Sequence, residues 1–200
     1  EMFPTYIDAG AVEDMSSYVT DEDKKEYKYL SNGNMMDGQY GWPLVTGVPF
    51  VLYYNEDILN ALGEKAPETW DDFARICQEA TKDTDGDGKV DQYGFACGMN
   101  TSDIGAMQIL NAYYYSALWQ NGGQVYNDDL KSVSFADEAG KEAVTWLKGL
   151  TSYMNEDFMS LSWSDAFSNV FGAGKAAFGI TRSSQTDGTT FAETYPDLNW

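Results

Sequence analysis

"GVPFVLYYNEDILNALG" (Gly47 to Gly63) leads through Glu64 and Lys65 into "APETWDDFARICQEATK" (Ala66 to Lys82), and then into "DTDGDGKVDQYGFACG" (Asp83 to Gly98). The first piece is β-branched and aromatic, and Pro43 and Pro49 keep it out of helix, so it reads as a strand. Asn55 is placed to cap a helix over "EDILNAL", and Gly63 to end it. Thr69, with Asp72 three residues on, forms a capping box for a second helix. Its Trp70, Phe73, Ile76 and Cys77 fall on one apolar stripe. "YGFACG" returns as a strand. Strand and helix alternate, and the fold class that follows is α/β.

Outward from this stretch the pattern continues. A long helix is expected from about Asp103 to Gln120, stopped by "NGG", and "QVYNDDLKSVSF" reads as a small hairpin. Asp137 or a near neighbour opens a helix whose Ala139, Ala143, Trp146, Leu147 and Leu150 share a face. "SWSDAFSNVFGAGKAAFGIT" reads as a helix from Ser164, closed by Gly172 or Gly174, and then a strand. Trp119, Trp146 and Trp163 are expected in the core. Residues 1–41 are polar and turn-rich, with a short acidic helix over Thr20 to Leu30 capped by Thr20 and Asp23. Few apolar residues there recur at helical spacing, so that part cannot build a core alone. Glu1 and "YPDLNW" read as interior positions of a longer chain.

Composition removes several function classes. Thirty-two acidic residues oppose twelve basic ones, for a net charge of −20. That field repels nucleic acid and anionic membrane surfaces, so neither is expected as a partner. Histidine is absent, which excludes Ser-His-Asp and Cys-His catalysis and imidazole metal sites. Cys77 and Cys97 are read as two buried thiols, with one bridge as the alternative. No run of eighteen apolar residues exists to span a membrane.

The acidic loop has its own chemistry. Asp83, Asp85 and Asp87 fall at positions 1, 3 and 5 of a calcium-loop template, Gly88 at the turn position 6, Lys89 at 7 through its carbonyl and Asp91 at 9. Position 12 is Gly94 where a bidentate Glu belongs, so a helix–loop–helix calcium hand is not expected. A nine-residue loop remains, holding Ca²⁺ through Asp83, Asp85, Asp87, the Lys89 carbonyl and Asp91 and taking a further ligand from elsewhere. The competing reading is a solvated acidic turn.

Five pieces in order, "GVPFVLYYNEDILNALG", "PETWDDFARICQEATK", "DTDGDGKVDQYGF", "ALWQNGGQVY" and "AFSNVFGAGKAAFGIT", resemble the bacterial extracellular solute-binding proteins of ABC importers, the maltose-binding-protein-like set. The resemblance implies a periplasmic-binding-protein-like lobe, with a mixed sheet flanked by helices, taken from a two-lobe protein that closes on its ligand. It assigns residues 1–44 to a remnant of the N-terminal lobe and the hinge crossing. Residues 45–200 become the C-terminal lobe, incomplete at its C-terminal end. In the galactose-binding type of receptor a similar nine-residue loop is completed by a Glu distant in sequence.

A sugar offers apolar ring faces to aromatic planes and a rim of hydroxyls to planar polar groups. In open α/β sheets such ligands lie beyond the carboxyl ends of strands. Three places qualify. Asn100, Thr101, Ser102 and Asp103 follow the strand "YGFAC", although Ser102 or Asp103 could simply cap the next helix. The resemblance adds aromatic contact from that helix, with Tyr113 and Tyr115 as candidates. Three tyrosines in a row point about 100° apart around a helix, so at least one of them is core. Arg182, Ser183 and Ser184 follow "AAFGI", where relatives present an aromatic platform and this chain has none. Trp42, at the crossing, could stack on a sugar.

The function implied is the non-catalytic, ligand-binding subunit of an ABC sugar importer. It would work outside the cell membrane, periplasmic or as a cell-surface lipoprotein, as a monomer handing an oligosaccharide or related polar solute to a membrane permease. A calcium-stabilised adhesion module would need two acidic loops in tandem or an exposed apolar face, and only one such loop is present. A glycoside hydrolase would need two carboxylates set about 5–10 Å apart across a bond, and nothing marks such a pair.

Overall fold

The computed structural model describes residues 3–43, 49–100, 108–127, 131–186 and 189–200. It divides into two compact units, Glu1–Val48 and Pro49–Trp200. The expected boundary between 44 and 45 falls outside the described residues.

The first unit is held by polar bonds. It comprises α1 (Phe3–Asp8), α2 (Asp21–Glu26) and a two-residue hairpin of β1 (Asn34–Met35) and β2 (Gly38–Gln39). The capping box forms at α2: Thr20 Oγ1 accepts from the Asp23 N–H, and Asp23 Oδ2 accepts from the Thr20 N–H at 2.8 Å. The helix stops at Glu26 rather than continuing to Leu30, because "DEDKKE" has no apolar face to bury. Leu30 is the one buried apolar side chain among the described residues of this unit. Gln39, 5% exposed, takes the place of a core: its side-chain amide donates to the carbonyls of Leu30 and Gly41, and its backbone N–H to Asp14 and Ser16.

In the second unit, β3 (Phe50–Tyr54), β4 (Tyr93–Ala96) and β5 (Ala176–Arg182) form a mixed sheet in the order β3-β5-β4. β3 runs antiparallel to β5 with Phe50 opposite Arg182, and β4 runs parallel to β5 with Phe95 opposite Phe178. Side chains alternate along each strand. One face therefore carries Phe95 and Phe178, which meet Phe73 of α4 (Trp70–Ala80) at ring distances of 5.5 and 4.8 Å. The other face carries Gly179, where an added Cβ would fall 2.9 Å from Phe167 and Phe171. Helices thus cover both faces.

The local signals place most of these elements. Asn55 caps α3 (Glu56–Leu62), and Gly63 closes it at φ 73°, a left-handed conformation that glycine adopts without strain. Thr69 and Asp72 form the capping box of α4. The helix described from residue 108 reaches Gln120, but Leu110–Tyr115 adopt a wider π turn before α5 (Ser116–Gln120). Ser116 Oγ donates to the Asn111 carbonyl, five residues back, at 3.0 Å. Asp137 caps α6 (Glu138–Gly149). The expected hairpin keeps its arms, with the Tyr126–Val133 bridge, while its turn at 128–130 is outside the described residues. Ser162, rather than Ser164, opens α7 (Trp163–Ala166), since Ser162 Oγ accepts from the Asp165 N–H. A second π turn, Phe167–Gly172, follows it. Among the described residues no helix is long and apolar enough to cross a membrane.

Candidate functional site

The parallel pairing of β4 and β5 puts their carboxyl ends at one end of the sheet, and antiparallel β3 brings its first residue, Phe50, to the same end. The chain leaving β4 is tied down at once. The Cys97 N–H donates to Asn155 Oδ1 at 2.8 Å, Met99 to the Phe158 carbonyl and Asn100 to the Leu161 carbonyl. Gly98 passes so close to Ser162 that a Cβ would fall 2.2 Å from its carbonyl oxygen. The segment beside it opens α7 and delivers Trp163 to the strand end, where the indole N–H donates to the Ile180 carbonyl at 3.0 Å.

Arg182 completes this corner. It is the last residue of β5, and Ser183–Thr186 turn into a short helix, so "TRSSQ" is strand end and helix rather than the expected loop. Its guanidinium carbon lies 5.8 Å from the Phe50 ring and 5.7 Å from the Trp163 ring, and those two rings meet edge to face at 5.6 Å. The aromatic surface missing from the loop in sequence is present in space, supplied by a strand start and a helix start. Trp163, expected in the core, is buried as expected at 7% exposure, and Phe50 carries no mark of this corner beyond its place in a strand. The period-2 pairing of "FVLYY" with "AAFGITR" is the signal that could have found Phe50.

Other candidates separate from this corner. Asn100 stands in the segment after β4, its side-chain amide donating to the Ser160 carbonyl at 3.0 Å. Ser183 is half-buried and Ser184 exposed just beyond Arg182. Thr101, Ser102 and Asp103 lie outside the described residues. Tyr113 is a core residue: 3% exposed, edge-on to Phe95 at 5.6 Å and paired with the Cys97 thiol, its hydroxyl pushed up in pKa by burial. Tyr115 stands beyond it on the same helix, its ring 5.5 Å from Trp119. Trp119 is 56% exposed and not in the core as expected, because the π turn ahead of α5 rotates the face on which it falls. Trp42 belongs to the first unit, 37% exposed and edge-on to Tyr27 at 5.4 Å. Cys77 and Cys97 are free and buried, and burial pushes the Cys97 thiol up to about 12.

The acidic loop is ordered around carboxylates. Asp83 accepts from the backbone N–H groups of Gly86 at 2.6 Å and Gly88 at 2.7 Å, which hold its pKa below the ordinary carboxylate value. Gly86 and Gly88 have φ of 81° and 90°, conformations that favour glycine. Asp91 accepts from Thr84 N–H and Oγ1 across the loop. Carboxylate oxygens of Asp83, Asp85 and Asp91 lie within 4.8 Å of one another, a spacing that fits one hard cation. Asp87 is outside that trio and accepts from the Lys89 N–H instead. A cavity of about 460 Å³ beside the loop is lined by Asp85, Asp87 and Asp91 together with Asn155, Glu156 and Asp157. Burial and the charges of Glu156, Asp157 and Asp91 raise the pKa of Tyr93 there.

A separate cavity of about 220 Å³ opens on the α4 face, between Leu52, Trp70, Tyr113, Trp146 and Ile180. Trp70 and Trp146 stack at 4.4 Å on its wall.

An α/β lobe with a three-stranded mixed sheet and helices on both faces is an architecture of the periplasmic-binding-protein kind. The chain belongs to the bacterial extracellular solute-binding protein family, whose model matches residues 1–198. It is 28% identical over 189 residues to a protein of Brucella abortus (strain 2308) named a binding protein, covering 88% of this chain and 41% of that one. A solute-binding protein of an ABC transporter from Thermotoga lettingae TMO, bound with alpha-D-tagatose, superposes with a TM-score of 0.70 at 18% identity, over 97% of this chain and 48% of its own. A maltose/maltodextrin-binding domain from Bdellovibrio bacteriovorus, bound to maltotriose, gives a TM-score of 0.69 at 16% identity, over 98% and 47%. The chain spans about two fifths of the Brucella protein and just under half of the two solved structures.

Proposed function

We propose that this chain supplies the ligand-holding lobe of a non-catalytic receptor for a sugar or related polar solute, delivering it to the permease of an ABC importer. The observation that carries the reading is the corner where β5 ends. Two aromatic rings and a guanidinium stand beside the segment bearing Asn100, at the end of an α/β sheet where ligands are bound. Sugars need that combination of apolar plane and planar polar group. Family membership supports an extracellular setting, periplasmic or at the cell surface; a lipid anchor and a monomeric receptor complete the proposal. Affinity would come from closure of a second lobe over the ligand, a shift of population toward the closed state.

In this reading Ca²⁺ is a structural cofactor. Asp83, Asp85 and Asp91 would hold it, with the Lys89 carbonyl, and the shared cavity brings Glu156 and Asp157 from elsewhere in the chain. The ion would neutralise carboxylates that otherwise repel, fixing the α4–β4 connection away from the ligand corner.

Isothermal titration calorimetry of the two-lobe protein that contains this chain, with mono- and oligosaccharides and polyols, tests the receptor reading, with product analysis by chromatography. Saturable heat with unchanged sugar is expected. Turnover of any glycan, or no binding across the panel, overturns it.

A further inference from the structure

We infer that the solute carries a carboxylate, as a uronate does, and that Arg182 is the residue that selects it; this rests on the receptor reading above. The chain has twelve basic side chains among thirty-two acidic ones, and its cations are expected to be claimed by acids. Of the chain's two arginines, Arg75 is claimed in this way, with Glu64 on both nitrogens at 2.7 and 3.0 Å and Glu79 at 3.1 Å. Arg182 is the contrast. It is half-buried at the strand end, and among the described residues no carboxylate pairs with it.

What holds Arg182 is aromatic. Phe50 and Trp163 stand within 5.8 Å of its guanidinium carbon, near enough for cation–π attraction. Trp163 is itself fixed by its bond to the Ile180 carbonyl, and Phe50 by its register opposite Arg182 in the sheet. Aromatic surface takes no hydrogen bonds from the in-plane N–H groups of a guanidinium. Those donors form a rigid fork matching the two oxygens of a carboxylate, and a group already positioned loses little entropy on binding. A neutral sugar could use two of the donors through vicinal hydroxyls, but it would leave the charge unpaired. The net charge of −20 does not forbid an anion here. At physiological salt the general field is screened over about 8 Å, whereas the Arg182 pair acts at contact.

The test is calorimetric, on the two-lobe protein that contains this chain and on its Arg182→Met and Arg182→Gln variants, with far-ultraviolet circular dichroism confirming that the variants fold. The probes are di- and trigalacturonate and glucuronate, each paired with its neutral hexose counterpart. A charge-assisted hydrogen bond predicts that wild type prefers the uronate by roughly 10- to 100-fold. Arg182→Met and Arg182→Gln should abolish that preference while retaining the weaker neutral binding. Equal or tighter binding of the neutral sugars, or a uronate preference surviving in both variants, overturns the inference and leaves the receptor reading standing. Binding of no sugar, neutral or acidic, to wild type removes both.

Discussion

Asn155 shows how much one side chain can decide. It is 1% exposed, its Oδ1 accepts from the Cys97 N–H at the end of β4, and its Nδ2 donates to Asp157 at 2.7 Å. Asn155→Ala leaves a buried N–H without an acceptor and should cost about 1–3 kcal/mol, read from urea denaturation. A variant as stable as wild type would show that the strand end does not depend on this bond. Asn155→Asp restores the acceptor but sets a carboxylate beside Asp157. Repulsion between the two carboxylates should leave part of the deficit in place. Nothing in the sequence marked Asn155, because a lone Asn after a Met carries no spacing signal. Its importance comes from a long-range bond to Cys97. Arg182 was legible as a candidate from its place after a strand, whereas its two ring partners lie 132 and 19 positions away in the chain.

At the scale of elements, caps were the most readable feature, because an N-cap is chemistry between residues two or three apart. Thr69→Ala removes the acceptor for the Asp72 N–H at the start of α4 and should cost about 1 kcal/mol. Thermal unfolding by circular dichroism measures it. If Thr69→Ala melts with wild type, the cap is redundant with the packing of Phe73 and Ile76. The partner carboxylates Asp23 and Asp72 are held below the usual range, chiefly by hydrogen bonds from the Thr20 and Thr69 hydroxyls. A lowered folded pKa means stability that is present above the unfolded value and lost as pH falls through the folded one. The melting temperature should therefore fall as pH drops below about 4, and Asp72→Asn should flatten that limb. Less legible were the π turns at Leu110–Tyr115 and Phe167–Gly172. Helical periodicity assumes 3.6 residues per turn, and one wider turn rotates every later face. That is why Trp119, expected in the core, is exposed, and why the three tyrosines could not be sorted by spacing.

For the molecule as a whole, the balance of charge and core is the governing quantity. Unit 2 buries its aromatic and aliphatic residues around Phe95, Phe171 and Phe178, and the fold is set there. Unit 1 buries little apolar surface among its described residues and relies on bonds around Gln39. Against both acts the mutual repulsion of a chain with net charge −20. Added sodium chloride should raise the melting temperature by screening that repulsion, irrespective of any bound ion. A calcium loop predicts something screening cannot supply. Calcium at 1 mM should stabilise the chain well beyond sodium chloride matched for ionic strength, because an ion that binds only the folded form shifts the equilibrium by mass action. Chelation should reverse the gain, and Asp83→Asn and Glu156→Gln should shrink it while leaving the sodium chloride response intact. If calcium and matched sodium chloride give the same melting curve, the Asp83–Asp91 loop is a solvated turn. Its backbone bonds to Asp83 and Asp91 then suffice to keep it folded without a metal.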